Sequence, residues 1–302
     1  MTVLVVGGAG FIGSMLVQKL VSDGRSVSVI DKLSLGKIEY ISSPQVRFLE
    51  EDIANTARVV DFLGDVGTIE EVWHLAANSD IPAGISNVEV DLNDTLLSTI
   101  AVIRLMEKVE CKKLYFASSS AVYGAHSARL YESTGPLFPI SNYGAMKLAS
   151  EGVISAAHES FLDTAVIFRF PNVVGVPATH GVILDFITRL QEDSTQLQVL
   201  GNGSQQKPYI HITELIDAML FIEKHSSKSL HCFNIGPSDD GVTVREIAEL
   251  TVDRVAPGAD IFYQKSDKGW VGDVPRFRYS VEKLKKLGWT PTLTSKQAVA
   301  KA

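Results

Sequence analysis

The chain has 302 residues, room for one large domain or two modest ones, and its 45% apolar and 21% charged content is ordinary for a soluble protein. A formal charge of -7 argues against nucleic acid as a partner, because nucleic-acid binders carry a basic surface; an anionic ligand would need local donors. Cys111 and Cys232 are far apart and the seven histidines show no HExxH or paired-ligand spacing, so neither a disulfide framework nor a metal site is expected.

The sequence opens on the apolar run Val3 to Val6 without a basic leader, and no stretch is long enough to span a bilayer. A soluble, cytoplasmic protein with no membrane partner is the expectation. Gly7-Gly8-Ala9-Gly10-Phe11-Ile12-Gly13 follows that first strand and precedes an amphipathic segment from Ser14 to Val21. Glycines at a strand-to-helix turn let backbone N–H groups approach a pyrophosphate, and the helix N-terminus adds favourable potential. The next apolar run, Val27 to Ile30, ends at Asp31, where a carboxylate can accept from an adenosine ribose and repel a 2′-phosphate. NAD is favoured over NADP, although Lys32 next door leaves NADP open.

Further runs at Val46 to Leu49, Val72 to Leu75, Leu114 to Ala117 and Ala165 to Phe168 alternate with helical patterns. That alternation predicts a parallel sheet with crossover helices, and runs this apolar need cover on both faces. The fold class is therefore α/β, a doubly wound Rossmann sheet with a smaller, interleaved α/β lobe. Asp52-Ile53 and Ala76-Ala77 stand at strand ends, as does Ser118-Ser119-Ser120. Tyr143 and Lys147 open a helix four residues apart, so phenol and ammonium share one face. A nearby ammonium and a positive nicotinamide ring would both favour phenolate, making Tyr143 able to exchange a proton with a hydroxyl and Ser119 a third partner.

The second half is turn-rich at Val176 to Gly181, Gly201 to Lys207 and Gly236 to Gly241. Thr243 to Glu246 reads as a capping box opening a helix towards Val255, and Val281 to Leu287 as a helix stopped by Gly288. The chain ends soon after Pro291, and no final helix is expected there.

In this order, GGAGFIG, LAA, SSSAVYG, YGAMK, RFPNVVG, YIH and GDVPR resemble the NAD-dependent epimerase/dehydratase family of extended short-chain dehydrogenases/reductases over essentially the whole chain. Within it the sequence is most similar to UDP-glucose/UDP-galactose 4-epimerases. The resemblance implies NAD held by Gly7, Gly10, Phe11, Ile12, Gly13, Asp31, Lys32, Asp52, Ile53, Leu75, Ala76, Ala77, Thr95, Pro171, Tyr143 and Lys147. It implies catalysis by Ser119, Tyr143 and Lys147, and a UDP-sugar contacted by Ser119, Ser120, Tyr143, Asn172, Gln198, Leu200, Lys207 and Trp270.

Three of these depart from the family pattern. Thr95 replaces a common asparagine, Lys207 a common arginine, and Trp270 a second arginine, so the nucleotide pose rests on fewer expected contacts. Related dehydratases carry an acidic pair after the catalytic Ser/Thr and related decarboxylases a glutamate nearby. Here Ser120-Ala121 follows, which disfavours elimination of water.

The implied reaction is transient oxidation at C4 to a 4-keto sugar that turns over before hydride returns. Epimerisation of a UDP-uronic acid or UDP-N-acetylhexosamine, another dehydratase or decarboxylase outcome, and a non-catalytic NAD sensor stay open. The resemblance also implies a homodimer through helices about Asp94 to Val109 and Tyr143 to Phe161. The implied division is an NAD-binding domain over 1–170 with about 207–236, and a nucleotide-sugar lobe over about 171–206 and 237–302.

Overall fold

The computed structural model describes residues 2–126, 128–267, 269 and 274–302. In chain order the first half runs β1 (Thr2–Val6), α1 (Phe11–Ser22), β2 (Ser26–Asp31), β3 (Val46–Glu50), α2 (Thr56–Gly64) and β4 (Glu71–His74). It continues through α3 (Ile81–Ser86), α4 (Val88–Asp91), a π-helical turn over Leu92–Leu97, α5 (Ser98–Lys108), β5 (Lys113–Ala117), α6 (Asn142–Ser160) and β6 (Thr164–Arg169). Each apolar run anticipated above is one of these strands; β1, β2, β4, β5 and β6 bury both faces, as continuous apolar runs of a parallel sheet do, while β3 at the sheet edge stays partly exposed.

The second half contains β7 (Asn172–Val174), α7 (Val182–Glu192), β8 (Gln196–Val199), β9 (Gln206–Lys207), β10 (Tyr209–His211), α8 (Ile212–His225) and β11 (Leu230–Asn234). It closes with β12 (Val242–Thr243), α9 (Val244–Val255), β13 (Asp260–Tyr263), α10 (Glu282–Leu287) and α11 (Ser295–Lys301). The expectation of no helix after Pro291 is overturned by α11. The helix is short, but Thr294 and Gln297 form a capping box, and Asp239 accepts from both the backbone N–H and the hydroxyl of Ser295. A seven-residue segment is too short for apolar periodicity to announce it.

The main sheet has seven strands in the order β11-β6-β5-β4-β1-β2-β3, every pairing parallel. Strand order reverses between β1 and β4, which opens a crevice at the carboxyl ends of those strands, where ligands of such sheets bind. Period-two alternation sorts the strand residues onto two cores. Val3, Val5, Val29, Trp73 and Phe168 face α1 and α8, packing with Leu16, Leu20 and Met219. Leu4, Val6, Val72, Phe116 and Ile167 face α2, α5 and α6, packing with Val59, Leu105 and Ile154. Each such fully buried side chain contributes about 1.5–3 kcal/mol. A third core gathers Phe186, Leu190, Leu197, Ile247, Val252 and Val299 under the two-stranded pairs β10-β7, β12-β9 and β13-β8. No helix among the described residues is long and apolar enough to cross a membrane.

Candidate active site

One cavity of about 1450 Å³ follows the crevice from the glycine turn to the turn-rich second half. That volume holds a ligand larger than an ordinary small molecule. Its floor begins at the turn after β1. Gly7 has a φ of +81° and a Cβ there would lie 2.4 Å from the Ala76 nitrogen, so glycine is required by backbone and packing together. Gly13 is equally confined, since a Cβ would meet the Gly7 carbonyl oxygen at 2.0 Å.

Gly10 is different. Its φ of -75° suits any residue, and a Cβ would meet only the Gly7 oxygen, at 3.5 Å. Neither conformation nor packing demands glycine there; the room it leaves opens into the cavity, at an α1 N-terminus that carries no side-chain cap. A pyrophosphate fits such a cradle.

Asp31 reaches the cavity from the end of β2, its carboxylate fixed by hydrogen bonds from the Ala9 and Leu33 backbone N–H groups at 2.9 and 2.8 Å. Beside it the Lys32 ammonium lies 2.5 Å from Asp94 and 3.6 Å from Asp52. Phe11, Ile12, Ile53, Leu75, Ala76, Ala77 and Pro171 line the same cavity. Thr95 does not: it is fully buried, with its hydroxyl accepting from the Asn78 N–H at 3.2 Å and its carbonyl from the Thr99 hydroxyl. The π-helical turn around it turns Asp94 and Ser98 to the cavity instead.

At the centre stand Ser119, Tyr143 and Lys147, all lining the cavity. Ser141 caps α6 by accepting from the Gly144 N–H, which sets Tyr143 in the first turn, and Lys147 lies one turn on. Lys147 is 2% exposed, and its ammonium donates to the Ala117 carbonyl at 2.5 Å and sits 5.9 Å from the centre of the Tyr143 ring. Burial lowers its pKa to about 7, against the pull of Glu151. The Tyr143 phenol, half-exposed to the cavity and walled in elsewhere, is pushed up to about 12 by burial, while the Ser119 hydroxyl hydrogen-bonds to it and lowers it.

The expected stabilisation of phenolate rests on two charges, the Lys147 ammonium and a bound nicotinamide ring. In the protein by itself desolvation is the largest influence on both groups, raising Tyr143 and lowering Lys147. The geometry provides a phenol, a hydroxyl and an amine at the carboxyl edge of the sheet, able to pass a proton to or from a ligand hydroxyl.

Behind these residues lies a buried ion pair. Arg169 donates to both Glu151 oxygens, at 3.0 and 2.6 Å, and the Ser118 hydroxyl donates to the same carboxylate at 2.5 Å. The side chains tie β5, α6 and β6 together immediately behind Ser119. Neither Glu151 nor Arg169 was singled out from sequence, although Glu151 continues the four-residue spacing of Tyr143 and Lys147.

Ser120, Asn172, Leu200 and Lys207 also line the cavity, and Asn172 is exposed rather than buried. Gln198 does not line it. On β8 only Leu197 and Val199 turn inwards, so period-two alternation leaves Gln198 on the exposed face. Trp270 lies outside the described residues. The sequence reading missed Gln205, His180 and Arg189, which also line the cavity; they stand in turns and on α7, with no motif around them. Arg189 is steadied by Asp185 at 3.1 Å and by the Gln198 carbonyl at 2.8 Å. Among the described residues no group of three or more His, Cys, Asp or Glu is placed to hold a metal ion.

The model of the NAD-dependent epimerase/dehydratase family matches residues 3–236. A UDP-glucose 4-epimerase of Lacticaseibacillus casei is 30% identical to this chain, over 96% of it and 92% of the relative. A crystal structure of a UDP-galactose 4-epimerase superimposes with a TM-score of 0.86 at 32% identity, covering 100% of this chain and 97% of that one. A UDP-glucose 4-epimerase of Thermus thermophilus, solved in complex with NAD, gives a TM-score of 0.87 at 26% identity over 99% and 97% of the two chains.

Proposed function

The chain belongs to the NAD-dependent epimerase/dehydratase family, and from that premise we propose that it is an NAD-dependent UDP-sugar 4-epimerase interconverting UDP-glucose and UDP-galactose. The observation that carries this reading is the meeting of Ser119, Tyr143 and Lys147 in one cavity with the glycine turn at one end and Asn172 and Lys207 at the other. The Gly10 cradle, the α1 N-terminus and Asp31 suit the pyrophosphate and ribose of NAD. Asn172, Lys207 and Arg189 can donate to the diphosphate of a UDP-sugar.

When bound, NAD supplies hydride transfer at C4. The protein's share is acid/base work and positioning. Tyr143 takes the proton of the 4-hydroxyl as the sugar is oxidised and returns it afterwards, with the Ser119 hydroxyl bonded to the same oxygen. Lys147, held by Ala117 and kept towards its charged form by Glu151, stabilises the phenolate while it exists. Ser120-Ala121 brings no carboxylate to the cavity next to Ser119, in keeping with epimerisation rather than loss of water.

The division into an NAD-binding body (1–170 with about 207–236) and a sugar-binding lobe (about 171–206 and 237–302) belongs to the same reading, supported by β11 pairing with β6 and by the separate third core. So do a homodimer through α5 and α6 and a place in the cytoplasm. Tyr143→Phe tests the proposal: NAD binding is expected to persist while turnover falls by about 10²–10⁴. Unchanged turnover would remove Tyr143 from the chemistry.

A further inference from the structure

The cofactor end of the cavity holds one arrangement that the reaction does not use. Lys32 directly follows Asp31, and among the described residues lining this end it is the only cation. A cation in that place can attract a ribose 2′-phosphate, as an arginine does in NADP sites. Here its ammonium lies 2.5 Å from Asp94 and 3.6 Å from Asp52, carboxylates brought from the π-helical turn and from the loop after β3. Asp31 adds a third carboxylate, and the fourth, Glu51, is engaged by Arg58 at 2.9 Å.

We propose that Asp94, assisted by Asp52, sets the preference for NAD over NADP by engaging Lys32, so that the cation beside Asp31 is not offered to a 2′-phosphate. The inference rests on the reading of this cavity as the NAD site. One lysine among the three carboxylates of Asp31, Asp52 and Asp94 leaves the end of the cavity net negative, and a 2′-phosphate would bring about two further negative charges to it. A half-exposed ion pair contributes little to stability, so a merely structural role for the triad predicts no change in cofactor choice when it is broken.

A double-mutant cycle separates these cases. NAD and NADP are titrated by calorimetry into cofactor-free wild-type protein, Asp94→Asn, Lys32→Met and the double variant, and the ratio of the two dissociation constants is the readout. Effects common to both cofactors cancel in that ratio.

With Lys32 already engaged, Lys32→Met alone should change the ratio by less than about threefold, whereas Asp94→Asn should move it towards NADP by about tenfold. Adding Lys32→Met to Asp94→Asn should remove most of that gain. An unchanged ratio in Asp94→Asn, or a gain that survives in the double variant, overturns the proposal while leaving the NAD site intact. Failure of the wild-type protein to bind NAD would instead overturn the reading of the cavity, and this inference with it.

Discussion

Lys147 shows what a buried site costs at the scale of a residue. Its pKa is about 7 in the folded protein against 10.5 for the unperturbed group, so between these values the unfolded chain binds the extra proton. Stability should therefore rise with pH from about 7 to 10.5, and the contribution is lost as pH falls through that window. For cofactor-free protein the rise from pH 7 to pH 10 should be on the order of 3 kcal/mol, and urea titrations of wild type and Lys147→Met should differ by that slope. A parallel pair of curves would show that the folded lysine is not held near neutrality.

The glycines divide in the same way. Gly7→Ala meets the Ala76 backbone at a positive φ and should destabilise the fold, whereas Gly10→Ala should fold within about 1 kcal/mol of wild type. Its new methyl group enters the cavity, at a cost to NAD of about 1–3 kcal/mol, which is about fivefold to 150-fold in Kd. Calorimetry on Gly10→Ala reads this directly, and normal NAD affinity would refute the cradle.

At the scale of elements, α6 carries Tyr143, Lys147 and Glu151 at successive turns of one face, and Glu151 fastens that face to β5 and β6 through Ser118 and Arg169. Glu151→Ala would leave a guanidinium that is 8% exposed without its carboxylate, and should cost about 3–5 kcal/mol in chemical denaturation. A cost under about 1 kcal/mol would mean that water or a rearranged neighbour replaces the pair.

The first six strands and α6 were legible because continuous apolar runs and the YGAMK spacing are local signals. The Glu151–Arg169 pair was not, since its partners stand 18 positions apart and become neighbours only when β6 lies beside α6. Thr95 could be recognised as departing from a pattern, but its retreat behind the cavity depends on the π-helical turn, which periodicity does not announce. For α11 the capping box was the one available signal, and Gln198 was misplaced because the register of a four-residue strand decides which side chains turn inwards.

At the scale of the molecule, the second half is interleaved with the first. α8 and β11 return to the main sheet, and the segment before α11 is tied to α8 by Glu214, whose carboxylate accepts from the Thr292 and Leu293 N–H groups at 2.6 and 3.1 Å. The cavity runs from the reversal point of the sheet to β7, α7 and the turns around Leu200 and Lys207, so on the proposed reading cofactor and sugar would meet at Tyr143 from opposite ends.

On the proposed reading hydride leaves C4 and comes back to it within one binding event. The direct measurement is incubation of the purified protein with UDP-glucose deuterated at C4, in ordinary water and without added reductant, alongside UDP-glucuronic acid and UDP-N-acetylglucosamine, following products by proton NMR. The expected product is UDP-galactose with deuterium still at C4. Loss of water with deuterium moved to C6 would make the protein a dehydratase, turnover of only the other two sugars would change the substrate, and no reaction with any of them would exclude epimerisation of these UDP-sugars.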